Sequence, residues 1–138
     1  MAVAKDSKIT DAQTNFKGLS VGAQSSSTQA IYAEEHYGPA GADVKFYPTL
    51  DEANSDLAAG RIDGVIADKF PLLAWAEAAG KDCCKIIGDV NGTTADASIA
   101  IRKGDDALRE RFNTALAEIV ADGTYKKISS RYFAFDIY

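Results

Sequence analysis

The residue types that build metal centres and redox motifs are scarce in this chain of 138 residues. It contains one histidine, His36, and two cysteines, the adjacent Cys83 and Cys84. Adjacent cysteines lack the two-residue spacing of redox and zinc motifs, and a disulfide between neighbours requires a distorted peptide unit. We therefore expect reduced, structural thiols in or near a strand, a solvated histidine, no metal and no cofactor. A vicinal disulfide and a surface thiol are the alternatives for the cysteine pair.

Long apolar runs and basic stripes are also missing. No run approaches the ~20 apolar residues that a membrane-spanning helix needs. The formal net charge is −5, with lysines and arginines scattered among the acids. Nucleic acid is therefore not an expected partner, because no basic stripe is available to neutralise phosphates. The first residues also lack the basic start, apolar core and small-residue cleavage site of a signal peptide.

No catalytic set is evident in the sequence. None of the serines sits in a G-x-S-x-G elbow, and His36 has no evident nucleophile as a partner. The composition, with 46% hydrophobic and 25% charged residues, is that of an average globular protein. One domain is the default for this length, with a core that buries roughly 68% of the unfolded surface.

Strand and helix patterns alternate in the first two thirds of the chain. Predicted strands cover 19–23, 44–47, 62–67 and 85–87, and predicted helices cover 27–37, 49–60 and 71–79. Thr49 and Glu52 form a capping-box pattern at the start of the second helix, and Gly60 is expected to end that helix. This order predicts an α/β three-layer sandwich with a mostly parallel sheet and helices on both faces.

The pattern changes after residue 97. Residues 97–101 alternate like a strand, and we expect 99–101 to pair with a short extended segment at 3–5. Asp105 is a candidate N-cap for a helix that Gly123 ends, followed by a short helix over 124–131. Apolar residues recur at helical spacing in the first of these helices: Leu108, Phe112, Ala115, Leu116 and Ile119.

Two polar features are predicted to meet at one edge of the sheet. A serine-rich turn, SSST at 25–28, follows the first strand where a helix begins, and a helix N-terminus favours an anion. Asp68 follows the strand at 62–67 and could hold an ammonium group. Because ligands of parallel sheets bind outside the carboxyl ends of the strands, this pair suits a zwitterion such as a free amino acid.

Three runs carry a resemblance to a known family: VGAQSSSTQ, SDLAAGRIDGVIAD and ADGTYKKISSRYFAFDIY. They resemble the polar amino-acid substrate-binding proteins of bacterial ABC transporters, above all the lysine/arginine/ornithine, histidine and opine binders, which are type 2 periplasmic binding proteins. The resemblance covers nearly the whole chain, yet members have two lobes. It implies a crossover or hinge strand at 1–10, the second lobe at 11–93, and a returning crossover strand with C-terminal helices at 94–138. The N-terminal half of the first lobe, and with it an export signal, would lie outside these residues.

The resemblance also implies roles for single residues. Ser27 and Thr28 match the positions that hold the ligand carboxylate, and Asp68 matches the position that takes the α-ammonium. Gln24, at a pocket-wall position that is usually apolar in the histidine binder, and Ser26 complete the predicted ligand-binding set. Gln29 is expected to face solvent or the opposing lobe. The alternative interpretations are an ordinary N-cap for the SSST run and a solvated strand end for Asp68.

The implied function is non-catalytic capture of a free amino acid or opine in the periplasm and its delivery to an ABC permease. This chain alone would bind weakly because it holds half a site, and we expect it to form a domain-swapped homodimer through its exposed tail. The alternatives are an enzyme similar to cyclohexadienyl or arogenate dehydratases, with Asp68, Asp51 or Glu52 as acid and base, and a sensor ectodomain of the same fold.

Overall fold

The chain folds into two compact units, Met1–Ala95 and Asp96–Tyr138. The computed structural model describes residues 1–13, 16–93 and 97–133. The strands and helices of the first unit are β1 Ala2–Ala4, β2 Ser20–Gln24, α1 Thr28–Tyr32, β3 Asp43–Tyr47, α2 Leu50–Ala58, β4 Gly64–Ile66, α3 Lys69–Glu77 and β5 Cys84–Ile86. Helix α1 continues directly into a π-helical segment, Ala33–Tyr37. The second unit contains α4 Asp106–Ala121 and α5 Thr124–Ser129.

The strands of the first unit form one sheet in the order β3-β2-β4-β1-β5. Strand β2 is parallel to β3 and β4, whereas β1 is antiparallel to both of its neighbours, β4 and β5. Four of the five strands therefore run in the same direction, which confirms the prediction of a mostly parallel sheet.

The predicted pairing of the chain start with residues 99–101 is wrong. Strand β1 bonds to β4 on one side, with Val3 opposite Gly64, and to β5 on the other, with Val3 opposite Lys85. Because both sides of β1 are occupied, it has no free edge for a further strand. Residues 97–101 form no strand in the structure, so their alternating pattern misled the prediction.

The sheet is buried on both faces, which confirms the three-layer arrangement. One core cluster joins Val21 and Ala23 of β2 to Ala30 and Ala33. The other cluster lies on the opposite face of the sheet. It joins strand residues to residues of α2 and α3: Ala2, Val65 and Cys84 of the strands, and Ala53, Leu57 and Leu72 of the helices. Neighbouring residues in a strand point to opposite faces, so Ile66 belongs to the first cluster and Val65 to the second.

Local signals set the ends of α2 as the sequence predicts. The Thr49 side chain accepts from the Glu52 N–H at 3.2 Å, and the Glu52 carboxylate accepts from the Thr49 N–H at 3.3 Å. Gly60, with φ of +69°, follows the C-cap residue Ala59. A left-handed residue just after a helix is the usual role of glycine, because it has no Cβ to clash.

The cysteine prediction and the predicted N-cap of α4 are confirmed. Cys83 and Cys84 are free thiols, and Cys84 is buried in β5. Mainly because of this burial, the pKa of the Cys84 thiol is raised to about 12. The Asp105 side chain accepts from the Leu108 N–H at 3.3 Å and so caps α4. Among the described helices, none is both long and apolar enough to cross a membrane.

Candidate functional site

The parallel pairing of β2 with β4 brings the two predicted polar features to the same edge of the sheet. Val21 lies opposite Gly64 and Ala23 lies opposite Ile66, so the two strands end side by side. The chain leaves β2 at Gln24 and enters the serine turn, and it leaves β4 two residues before Asp68. The sheet therefore brings the serine turn and Asp68 to one edge, and the ligand site expected there stays a prediction.

The serine turn is held mainly by its own hydrogen bonds. Ser27 is the N-cap of α1: its hydroxyl accepts from the Ala30 N–H at 3.0 Å and donates to the Gln24 carbonyl at 2.7 Å. Ser26 is exposed and has φ of +60°, a left-handed conformation that costs a non-glycine residue on the order of 1 kcal/mol. Within the described part of the chain, the Thr28 N–H makes no hydrogen bond, as expected for the first residue of a helix.

Asp68 faces the serine turn rather than its own helix. It is the N-cap residue of α3, yet its side chain makes no capping hydrogen bond. Instead, Gln29 Nε2 donates to Asp68 Oδ1 at 2.6 Å. Gln29, which is expected to face solvent or another lobe, thus also contacts Asp68, because the second residue of α1 lies within reach of the carboxyl end of β4.

A cleft of about 230 Å³ opens between these elements. It is smaller than complete ligand sites, which typically measure roughly 300–1,000 Å³. Gln24, Ser27 and Asp68 lie on its wall, whereas Ser26 and Thr28 do not. The described lining is Gln24, Ser27, Gln29, Leu50, Ile66, Ala67, Asp68 and Pro71.

The cleft combines one negative charge with apolar walls. Asp68 is the only ionisable side chain among the described lining residues. Leu50 begins α2 and Pro71 lies in the first turn of α3, so the starts of two helices supply apolar contacts that the sequence analysis did not identify. Both residues follow strands that are parallel to β2. The rule that ligands bind outside the carboxyl ends of parallel strands could therefore have identified them from the sequence. Such a wall suits the methylene groups of a ligand whose ammonium reaches the carboxylate.

The described residues do not hold a metal centre. Their histidine, cysteine, aspartate and glutamate side chains form no cluster of three or more that could bind an ion.

Comparisons with known proteins find relatives among histidine- and arginine-binding proteins. The chain is 36% identical to the histidine-binding periplasmic protein of Salmonella typhimurium over 143 residues, which covers 100% of this chain and 55% of that protein. It is 37% identical to an L-arginine-binding protein of Pseudomonas aeruginosa, with 94% of this chain and 52% of that protein covered. The chain thus spans about half the length of these relatives.

The fold has a close structural counterpart. An ancestral arginine-binding protein bound to arginine superimposes with a TM-score of 0.82 at 33% identity, over 96% of this chain and 58% of that one. The α/β sandwich is therefore that of the type 2 periplasmic binding proteins. Residues 1–135 match the family as a whole, and this chain belongs to the bacterial extracellular solute-binding proteins, family 3.

Proposed function

We propose that this chain is the amino-acid-binding lobe of a periplasmic substrate-binding protein that delivers its ligand to an ABC permease. The observation that carries the proposal is the cleft where the α1 N-terminus and Asp68 face the same space. An α-amino acid carries a carboxylate and an ammonium on one carbon, so one small cleft with both partners matches it. The relatives that bind histidine and arginine favour a ligand of the basic amino-acid or opine class.

The backbone at the α1 N-terminus is the proposed carboxylate site. Because the Ser27 hydroxyl already bonds to Gln24 and Ala30, the better donor to a ligand is the free N–H of Thr28, which does not line the cleft itself but directly follows Ser27, a residue of the cleft wall. Gln24 lines the cleft and would contact the ligand side chain. Ser26 contributes through the shape of the turn, since its left-handed backbone sets the path into the helix.

Binding by this lobe is one half of a two-lobed mechanism. In the proposed parent protein, residues 11–93 form the second lobe, 1–10 lead the chain into it through β1, and 94–138, with the C-terminal helices, return the chain to the first lobe. Contacts from both lobes would shift an open-closed equilibrium toward the closed form that a permease recognises. A lobe alone has no second set of contacts and therefore cannot close on its ligand.

The proposed role is non-catalytic. A dehydratase needs a general acid and a general base that face the ligand. Asp51 and Glu52 are not on the described cleft wall, and the Glu52 carboxylate caps α2 through the Thr49 N–H. Asp68 is then the one acid or base candidate on the described cleft wall, so capture fits the cleft better than catalysis.

We propose in addition that the isolated chain associates with a second copy through α4. No residue of α4 is buried, and its large apolar side chains lie open to water. Monomers rarely expose a contiguous apolar patch beyond a few hundred Å².

An NMR titration of the isotope-labelled chain with L-arginine and L-histidine tests the capture proposal. Each charge-assisted hydrogen bond contributes about 1.5–3 kcal/mol, while association costs at least ~4 kcal/mol, so the affinity is expected to be millimolar at best. The shifts should cluster at residues 24–29 and 66–68. Agmatine, which is arginine without its carboxylate, should bind more weakly still.

Substitution of the carboxylate decides whether the site is placed correctly. Asp68→Ala should abolish the titration shifts, whereas the control Asp82→Ala, at an exposed turn, should not change them. In a two-lobed protein that carries this lobe, Asp68→Ala should cost on the order of 3 kcal/mol because a buried cation loses its partner. Micromolar binding by the chain alone, or unchanged binding by Asp68→Ala, would show that the site lies elsewhere.

A further inference from the structure

The Asp68 side chain does not cap α3, the helix that it precedes. Aspartate is among the preferred N-cap residues because its oxygens accept from the free N–H groups of the first turn. At the start of α3 this bond is not made. The carboxylate is instead bonded to Gln29, whose position in the chain is 39 residues away. A contact that replaces a local capping bond with a long-range one points to a role in the cleft, where both side chains lie.

The direction of this hydrogen bond determines what the pair offers to a ligand. Gln29 Nε2 is the donor, so the amide oxygen, Oε1, remains an acceptor. Within the described part of the chain, neither Gln29 Oε1 nor Asp68 Oδ2 has a hydrogen-bond partner. The two residues therefore present two acceptors to the same cleft, while an ammonium carries several N–H donors on one nitrogen.

We propose that Gln29 is a positioning residue for amino-acid capture: it holds the Asp68 carboxylate in the cleft and adds a second acceptor for the α-ammonium of the ligand. This inference rests on the proposed function. It defines the ligand class more narrowly, because a nitrogen with two or more N–H donors can use both acceptors. A nitrogen that keeps its charge but has one N–H can use only one of them.

The contact itself can be tested without a ligand. In NMR spectra, the side-chain NH₂ of Gln29 should give one proton shifted downfield by its bond to the carboxylate. Asp68→Asn should move this resonance toward the position of a solvated amide, and the matched variant Asp82→Asn should leave it in place. A Gln29 side-chain resonance that is the same in both variants would overturn the proposal.

A comparison of two ligands separates the contribution of the α-nitrogen's charge to the affinity from the contribution of its hydrogen bonds. For L-arginine, Gln29→Met should weaken binding by about tenfold, as the loss of one hydrogen bond in a charged network predicts. For Nα,Nα-dimethylarginine, which is charged but has one N–H on that nitrogen, Gln29→Met should change the affinity by less than about twofold. The control Gln13→Met, at an exposed glutamine outside the cleft lining, should change neither affinity.

The outcomes distinguish this inference from the proposed function. Equal weakening for both ligands would mean that Gln29 only shapes the cleft, and no weakening for either would mean that it has no part in binding. Both results would overturn the positioning role while amino-acid binding by the unsubstituted chain stands. If the unsubstituted chain shows no shifts with any amino acid, the proposed function fails, and the role of Gln29 in capture fails with it. Gln29→Asn, whose shorter side chain should not reach Asp68, serves as a second variant and should behave like Gln29→Met.

Discussion

The Ser27 hydroxyl accepts a hydrogen bond from the Ala30 N–H at 3.0 Å, so a residue of the proposed carboxylate site is also the cap of α1. The two roles use different groups. Capping uses the hydroxyl, whereas anion binding at a helix N-terminus uses backbone N–H groups and their partial positive charge. Substitutions at Ser27 can therefore change stability and binding independently.

Two substitutions of Ser27 should separate stability from ligand binding, because each should change one of them and leave the other. Ser27→Ala should lower the free energy of unfolding by about 1 kcal/mol, because the cap is lost while the backbone donors remain. Ser27→Asp should keep the stability within about 0.5 kcal/mol, because aspartate is an equally good cap. Its negative charge at the α1 N-terminus should, however, abolish binding of a ligand carboxylate.

Urea unfolding followed by circular dichroism, together with the arginine titration, measures both effects. Ser98→Ala is the matched control, since Ser98 is exposed and lies outside the cleft lining. The separation of roles is wrong if Ser27→Ala is as stable as the unsubstituted chain, or if Ser27→Asp still binds arginine normally.

Tyr47 should make the stability of the chain sensitive to alkaline pH. Its hydroxyl donates to Asp56 Oδ2 at 2.8 Å, and Arg61 Nε donates to Asp56 Oδ1 at 2.7 Å. Burial, followed by the hydrogen bond to Asp56, raises the pKa of Tyr47 to about 12. An unfolded tyrosine has a pKa of about 10. The stabilisation is therefore fully present below about pH 10 and is lost as the pH rises toward the folded-state pKa.

Urea unfolding at several alkaline pH values tests this linkage. Tyr47→Phe should be less stable than the unsubstituted chain at neutral pH, and it should lose less stability as the pH rises. A residual loss should remain, because burial also raises the pKa of Tyr37 above its usual range. Tyr132, which is 76% exposed, provides the control Tyr132→Phe. Identical pH profiles for Tyr47→Phe and the unsubstituted chain would contradict the prediction.

Asn54 is a buried polar residue whose replacement should stabilise the fold. It is 1% exposed, and neither side-chain polar atom has a hydrogen-bond partner among the described residues. A buried polar group without a partner costs about 1–3 kcal/mol. Asn54→Leu, which keeps a similar shape, should therefore raise the free energy of unfolding by about 1 kcal/mol.

Chemical denaturation of two further variants completes this test. Asn54→Asp should be clearly less stable than the unsubstituted chain, because it buries a charge at the same place. Asn113→Leu, at an exposed position of α4, should change the stability by less than about 0.5 kcal/mol. A loss of stability in Asn54→Leu would indicate that the amide has a partner, such as an ordered water.

The parts of the structure that the sequence predicts well depend on residues that are close in the chain. The capping box of Thr49 and Glu52 joins residues three positions apart, and Gly60 ends its helix through its own backbone angle. The resemblance to a known family added the lobe architecture and the roles of Asp68 and Ser27. Those roles are still proposals, although the sheet brings both residues to one cleft.

The predictions that failed depend on distant partners. A three-residue strand such as β1 carries no sign of which strands it joins, and the sheet places it between β4 and β5. Residues 97–101 have the right alternation for a strand but no ladder partner among the residues that the structure describes. The Gln29–Asp68 bond spans 39 positions, so neither residue's local pattern indicates the other.

Helix α4 presents an apolar stripe that should drive association of the isolated chain. Leu108, Phe112 and Leu116 are four residues apart, and their exposed fractions are 37%, 42% and 38%. This spacing places them on one side of the helix, along a groove of about 710 Å³ that Leu108 and Phe112 help to line. Covering the stripe with a second copy would remove apolar surface from water, by simple packing or by exchange of the tail.

Sedimentation over a wide range of chain concentrations should therefore show a dimer that dissociates on dilution. Phe112→Glu should abolish the dimer, because a charge in the middle of the stripe would have to be buried without a partner. Asn113→Glu adds the same charge to a neighbouring position outside the groove lining and should leave the dimer intact. Phe112 and Asn113 are both exposed, so neither variant should unfold α4, since surface substitutions usually change stability by less than about 0.5 kcal/mol. A chain that stays monomeric at its highest soluble concentration, or a dimer that Phe112→Glu does not weaken, would show that this face of α4 does not mediate association.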